Sequence, residues 1–118
     1  MLTFGPATRI FVARGATDLR KSFDSLCALV EGVLARDAFS GHVFCFFNRR
    51  KDRLKLLVWD RSGFWLFYRR LEQGTFSELD AGAGASIEIT SRELLLLLEG
   101  IDLHAVRQRK RYTRPTAA

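Results

Sequence analysis

Histidine and cysteine are scarce in this chain of 118 residues: two of each, His42, His104, Cys27 and Cys45. Their spacing matches no zinc-binding pattern, so a structural metal finger is excluded. Both cysteines sit inside apolar segments and read as small buried hydrophobes. A disulfide between them needs an oxidising compartment, and no signal peptide is visible. No apolar run approaches the roughly 20 residues of a membrane span. Gly82 and Gly84 lack the lysine and helix start of a phosphate loop. The expected location is therefore cytoplasmic, with no membrane partner and no cofactor.

Apolar residues make up 47% of the chain, and ten phenylalanines with Trp59 and Trp65 supply bulky core material. That composition calls for a folded domain. The charge is basic: 19 Lys and Arg against 13 Asp and Glu, a net +6. Fifteen of those cations are arginine, whose planar fork suits phosphate and guanine, although a GC-rich genome also favours arginine. A net positive charge points towards a polyanionic partner.

Residues 9–13 alternate like a short strand, and Thr17 or Asp18 can cap the helix beyond it. Leu19, Phe23, Leu26, Val30, Val33 and Leu34 form a helical stripe, which predicts a helix over 18–36. Gly32 weakens it by roughly 1 kcal/mol. Three strands come next, over 42–48, 53–60 and 64–71, joined by short turns. Residues 75–79 suit a further short strand, and 87–89 are extended. Thr90-Ser91-Arg92-Glu93 matches a capping box ahead of a helix that Gly100 can close. The expected fold is α+β: a small antiparallel β-meander packed by a long N-terminal helix, with a short C-terminal helix and a basic tail. The expected division is one domain over 1–105 and a mobile tail over 106–118. Phe23, Leu26, Val30, Phe44, Phe46, Leu56 and Val58 are its expected core.

Several segments in register now resemble a known family. Thr17-Asp18-Leu19-Arg20-Lys21-Ser22-Phe23-Asp24 resembles that family's opening, and residues 39–44, 46–55, 59–64, 70–76 and 97–102 continue the likeness in order. Together they look like the TnpB-type accessory protein encoded by insertion sequences of the sixty-six family. Asn48 and Lys51 depart from it, standing where small or glycine residues are common. The resemblance implies a protein encoded beside a separate transposase that supports transposition, and it brings no catalytic residues.

Candidate contacts with nucleic acid are read from clustered cations. The first group is Arg49, Arg50, Lys51 and Arg53 in and beside one turn; the second is Arg69 and Arg70, with Tyr68 and Arg61 nearby. The third is the tail, with Arg107, Arg109, Lys110, Arg111 and Arg114 around Tyr112. Lys55 and Arg69 are expected to continue one basic stripe. Arg20-Lys21 is a fourth candidate, because cations at a helix start oppose its dipole. Such loops and tails suit a phosphate backbone; each also reads as ordinary solvated surface. Asp52, Asp60 and Glu72 could be arranged near one another on the meander to hold catalytic metals, but Asp52 and Asp60 sit in turns, where aspartate is common anyway, so a nuclease is the weakest reading. The expected function is non-catalytic: binding DNA, such as the element ends, or a transposase–DNA complex. The competing reading is a protein–protein adaptor that docks on the transposase without touching nucleic acid.

Overall fold

The computed structural model describes residues 4–77, 79 and 82–100. Five strands form one sheet: β1 (Ile10–Ala13), β2 (Val43–Phe47), β3 (Arg53–Asp60), β4 (Gly63–Arg70) and β5 (Ser86–Ile89), in the order β4-β3-β2-β1-β5. Two short helices accompany them, α1 (Phe23–Gly32) and α2 (Ser91–Leu98).

The expected antiparallel meander packed by a long N-terminal helix is not what forms. The sheet is mixed: β1 runs parallel to β2, with Ile10 opposite Val43, and antiparallel to β5, with Ile10 opposite Ile89. A parallel neighbour needs a crossover, and α1 supplies it between β1 and β2. Strands β2, β3 and β4 succeed one another antiparallel through short turns. The residues expected as a strand over 75–79 form none where they are described. Phe76 instead donates its N–H to Lys51 O at 2.7 Å and buries its ring against Phe47.

The helix is short because its apolar stripe is not all helical. Before it, Asp18 folds the chain into a turn, with Oδ1 accepting the Arg20 N–H at 3.0 Å and the backbone oxygen accepting the Lys21 N–H at 3.1 Å. An aspartate that bonds its own following backbone competes with helix. After α1, the Leu34 N–H reaches Leu29 O and the Arg36 N–H reaches Val30 O. Ala35 there takes φ +52°, which ends the helix. Leu19 and Leu34 are buried all the same, from the flanking turns. The space beside Gly32 is open, so no close approach to the sheet explains that glycine.

The second helix starts where expected. Thr90 Oγ1 accepts the Glu93 N–H at 3.1 Å, and Glu93 Oε1 accepts the Thr90 N–H at 3.0 Å. Gly100, at φ +78°, lies just past its C-terminal end.

Each face of the sheet has its own core. Leu26 and Val30 of α1 pack with Phe11, Phe44, Phe46 and Leu57. Leu94 and Leu97 of α2 pack on the other face with Ile10, Val12, Cys45, Leu54 and Leu56. Leu26, Val30, Phe44, Phe46 and Leu56 are buried as expected, but Phe23 is 42% exposed and Val58 is half-buried. Phe23 stands in the first turn of α1, at its solvent edge. In urea unfolding, Leu26→Ala is expected to cost about 2–5 kcal/mol, and Phe23→Ala less than about 1 kcal/mol. Equal losses would mean that Phe23 belongs to the core after all.

Candidate nucleic-acid interface

The turn between β2 and β3 is built by Asn48. Its Oδ1 accepts the N–H groups of Asp52 and Arg53, and its Nδ2 donates to Asp52 Oδ1 at 2.6 Å. Lys51 sits at φ +56°, the left-handed region that favours glycine. With Asn48 bracing the turn, Arg49 and Arg50 project into solvent, and neither forms an ion pair with a described residue. Lys51 is different: it is half-buried, with its ammonium 6.0 Å from the centre of the Phe47 ring.

Beyond the turn, strand pairing sets Arg53 directly opposite Arg70, on the α1 side of the sheet. Arg53 donates to the Tyr68 hydroxyl at 3.2 Å, and Arg70 pairs with Glu72 at 2.8 Å. Lys55 lies one position inward on that face, opposite Tyr68. It is buried, donating to Lys21 O at 2.8 Å with its ammonium 5.0 Å from the Tyr68 ring centre. Residues Asp18, Leu19, Arg20, Asn48, Arg50, Asp52, Arg53 and Tyr68 line a cleft of about 300 Å³ here. Of Arg20 and Lys21, a lesser candidate in the sequence, Arg20 thus reaches the same site as the turn, whereas Lys21 contributes its backbone oxygen to Lys55.

The carboxylates of the cleft are held ionised. The Arg20 guanidinium, hydrogen-bonded to Asp18, pulls that carboxyl down to about 2. The Asn48 amide lowers Asp52, helped by the nearby charges of Arg50 and Arg53. Cations still outnumber these acids, and the cleft presents arginine forks around one exposed tyrosine ring.

Arg69 does not join them. It faces the α2 side, opposite Leu54, and its Nε donates to Leu98 O at 2.6 Å. A cation there offsets the negative end of α2. The stripe expected from Lys55 to Arg69 is therefore split by the alternation of the strand. Arg107, Arg109, Lys110, Arg111 and Arg114 lie outside the described residues. Asp52 and Asp60 stand at opposite ends of the eight-residue β3, roughly 25 Å apart, too far to share a metal. No cluster of metal-ligating side chains occurs among the described residues. None of the described helices is long and apolar enough to cross a membrane.

A second surface lies on the α2 side. Trp65, 56% exposed, stacks on Phe67 at 5.9 Å. Leu54, Leu56, Phe67, Leu95 and Leu98 line a mainly apolar groove of about 350 Å³ on that side, rimmed by Tyr68, Arg69 and Glu99.

The family described as IS66 Orf2 like protein matches residues 8–108, a stretch that holds the whole cleft. This chain belongs to that family. It is thereby grouped with the accessory proteins of insertion-sequence transposition. Two proteins of Sinorhizobium fredii are similar along nearly their whole length. The chain is 39% identical to y4hO over 102 residues, 86% of this chain and 88% of that one. It is 38% identical to y4jC over 108 residues, 92% and 91% of the two chains. No solved structure matches. Of the tail cations, only Arg107 falls within the family match, whereas every cation of the turn does.

The Asp18–Arg20 pair gives a pH test. A carboxyl lowered in the folded chain contributes stability above its ordinary value and loses it as pH falls through about 2. Arg20→Ala is expected to raise the Asp18 midpoint towards 3.8, so the stability that ionised Asp18 contributes shrinks and less is lost on acidification. Carboxyl-carbon NMR titration reads this directly. An unmoved midpoint would show that the backbone bond alone holds Asp18 ionised.

Proposed function

We propose that this protein is a non-catalytic accessory factor of insertion-sequence transposition that binds DNA through the face carrying Arg20, Arg50, Arg53, Tyr68 and Arg70. Its partners are then the element's DNA ends and the separate transposase, met in the cytoplasm without a cofactor. The observation that carries this reading is the placement of Arg53 directly opposite Arg70. Like charges across a strand pair destabilise a sheet, so folding does not ask for them. Phosphates relieve that repulsion, and arginine forks grip them in two-toothed contacts. The turn residues Arg49 and Arg50 extend the same surface towards a groove. The tail of 106–118, with its five cations, adds a sequence-tolerant second contact.

The adaptor reading draws on the mainly apolar groove on the opposite side of the sheet. Such a patch is a natural seat for protein.

Binding measured by fluorescence anisotropy at several salt concentrations separates the two readings. Each phosphate contact contributes about −0.9 to the slope of log affinity against log salt. The triple change Arg50→Ala, Arg53→Ala, Arg70→Ala is expected to weaken binding on every sequence and flatten that slope by roughly 2–3. Removing residues 107–118 is expected to flatten it further, by roughly 2–4. Arg92→Ala, on α2 across the sheet, is expected to leave both affinity and slope nearly unchanged. If the intact protein has no affinity for element-end duplex even at low salt, the DNA reading is wrong and the adaptor stands.

A further inference from the structure

Strand β4 ends the sheet, so one side of its backbone has no neighbour within it. The bonds at its far end show which groups point outward. Arg53 O accepts the Asn48 N–H, so the Arg53 backbone turns towards β2; Leu71 N–H donates to Asp52 O, so that pair is the bonded one across β3 and β4. By the alternation of an antiparallel ladder, Phe64, Leu66, Tyr68 and Arg70 turn their N–H and C=O groups outward.

This edge carries few of the devices that keep strands apart. It is eight residues long, pairs with β3 without a bulge, holds no proline, and bears no charge before Arg69. Edges of that kind pair with other strands. The opposite edge, β5, has only four residues, and its Glu88 is tied to Arg9 at 2.7 Å. The order of residues along β4 is also informative. Aromatic rings, Phe64 and Trp65, stand at its start; cations, Arg69 and Arg70, stand at its end. A strand so arranged is complementary to its own reverse.

We propose that β4 pairs antiparallel with β4 of a second copy, about a two-fold axis normal to the sheet at Phe67. In this register the outward groups of Phe64 face those of Arg70, and those of Leu66 face those of Tyr68. Trp65 comes beside Arg69 of the second copy, a guanidinium near an indole ring, and no like charges oppose one another. The axis keeps the α1 side of both copies facing one way. The two basic clefts then lie on one side of a continuous ten-stranded sheet, roughly 30 Å apart by strand geometry. That is close to one turn of duplex DNA, about 34 Å. The match in spacing rests on the proposed DNA binding; the pairing itself does not.

Sedimentation equilibrium of the full chain tests the pairing without DNA. The expected mass is twice 13.5 kDa. Trp65→Lys sets a cation against Arg69 of the second copy and is expected to give the monomer mass; Trp65 is exposed enough for the fold to survive. Adding Arg69→Glu in the same chain is expected to restore the dimer, which a merely damaged fold does not do. A wild-type monomer overturns the proposal, and so does a dimer indifferent to Trp65→Lys. A monomer that dimerises only after removal of residues 101–118 also overturns it, because the chain's own end then occupies the edge. With the pairing established, Trp65→Lys is expected to weaken binding to a duplex of about 25 base pairs roughly tenfold or more, by loss of two-point attachment. Unchanged affinity there would reject the shared DNA face while leaving the dimer intact.

Discussion

Strand β1 is four residues long and buried on both faces, and the remaining architecture results from covering it. Phe11 points to one side of the sheet and Ile10 and Val12 to the other, so each side must carry a helix. The crossover from β1 to β2 brings α1 to the first side, and the chain beyond β5 brings α2 to the second. Even the periphery serves this strand. The Arg36 guanidinium lies 3.8 Å from the centre of the Phe11 ring, closing the core where α1 runs out.

With β1, β2 and the middle of β3 covered, the outer strand β4 and the ends of β3 are freer. Their α1 side has apolar cover at Leu57, in part at Leu66, and where Phe39 packs on Trp59 and Phe64. Further along, towards the β2–β3 turn, the same face becomes Lys55, Tyr68, Arg53 and Arg70. Burial of Lys55 is tolerable because its ammonium has the Lys21 carbonyl and the Tyr68 ring for company. The basic cleft thus occupies the part of the sheet that folding leaves uncovered. Its opposing arginines are tolerated there because water and Glu72 screen them.

Much of this was legible in local residue order. The strand over Arg53–Asp60 can be read from its alternation, and α2 from the Thr90–Glu93 capping box. Both signals are short-range: alternation reports one face of one strand, and a capping box closes within four residues. The α1 stripe misled because burial does not require helix. Leu19 and Leu34 meet the helical spacing yet reach the core from turns. The missing clue was Asp18, whose side chain bonds the Arg20 N–H and starts a turn in place of a cap.

The sequence by itself determined the kind of surface and the family: arginines around a turn, aromatic strands, and segments whose order resembles one accessory-protein family. These are properties of composition and of neighbours along the chain. Only the tertiary structure decided which cations act together. Arg69 and Arg70 are adjacent in sequence but stand on opposite faces, one at the end of α2 and one across from Arg53. Arg20 and Arg50, thirty residues apart, line one cleft. The parallel pairing of β1 with β2 was likewise decided at long range. Strand registry depends on which faces find cover, and no local pattern in ten residues carries that information.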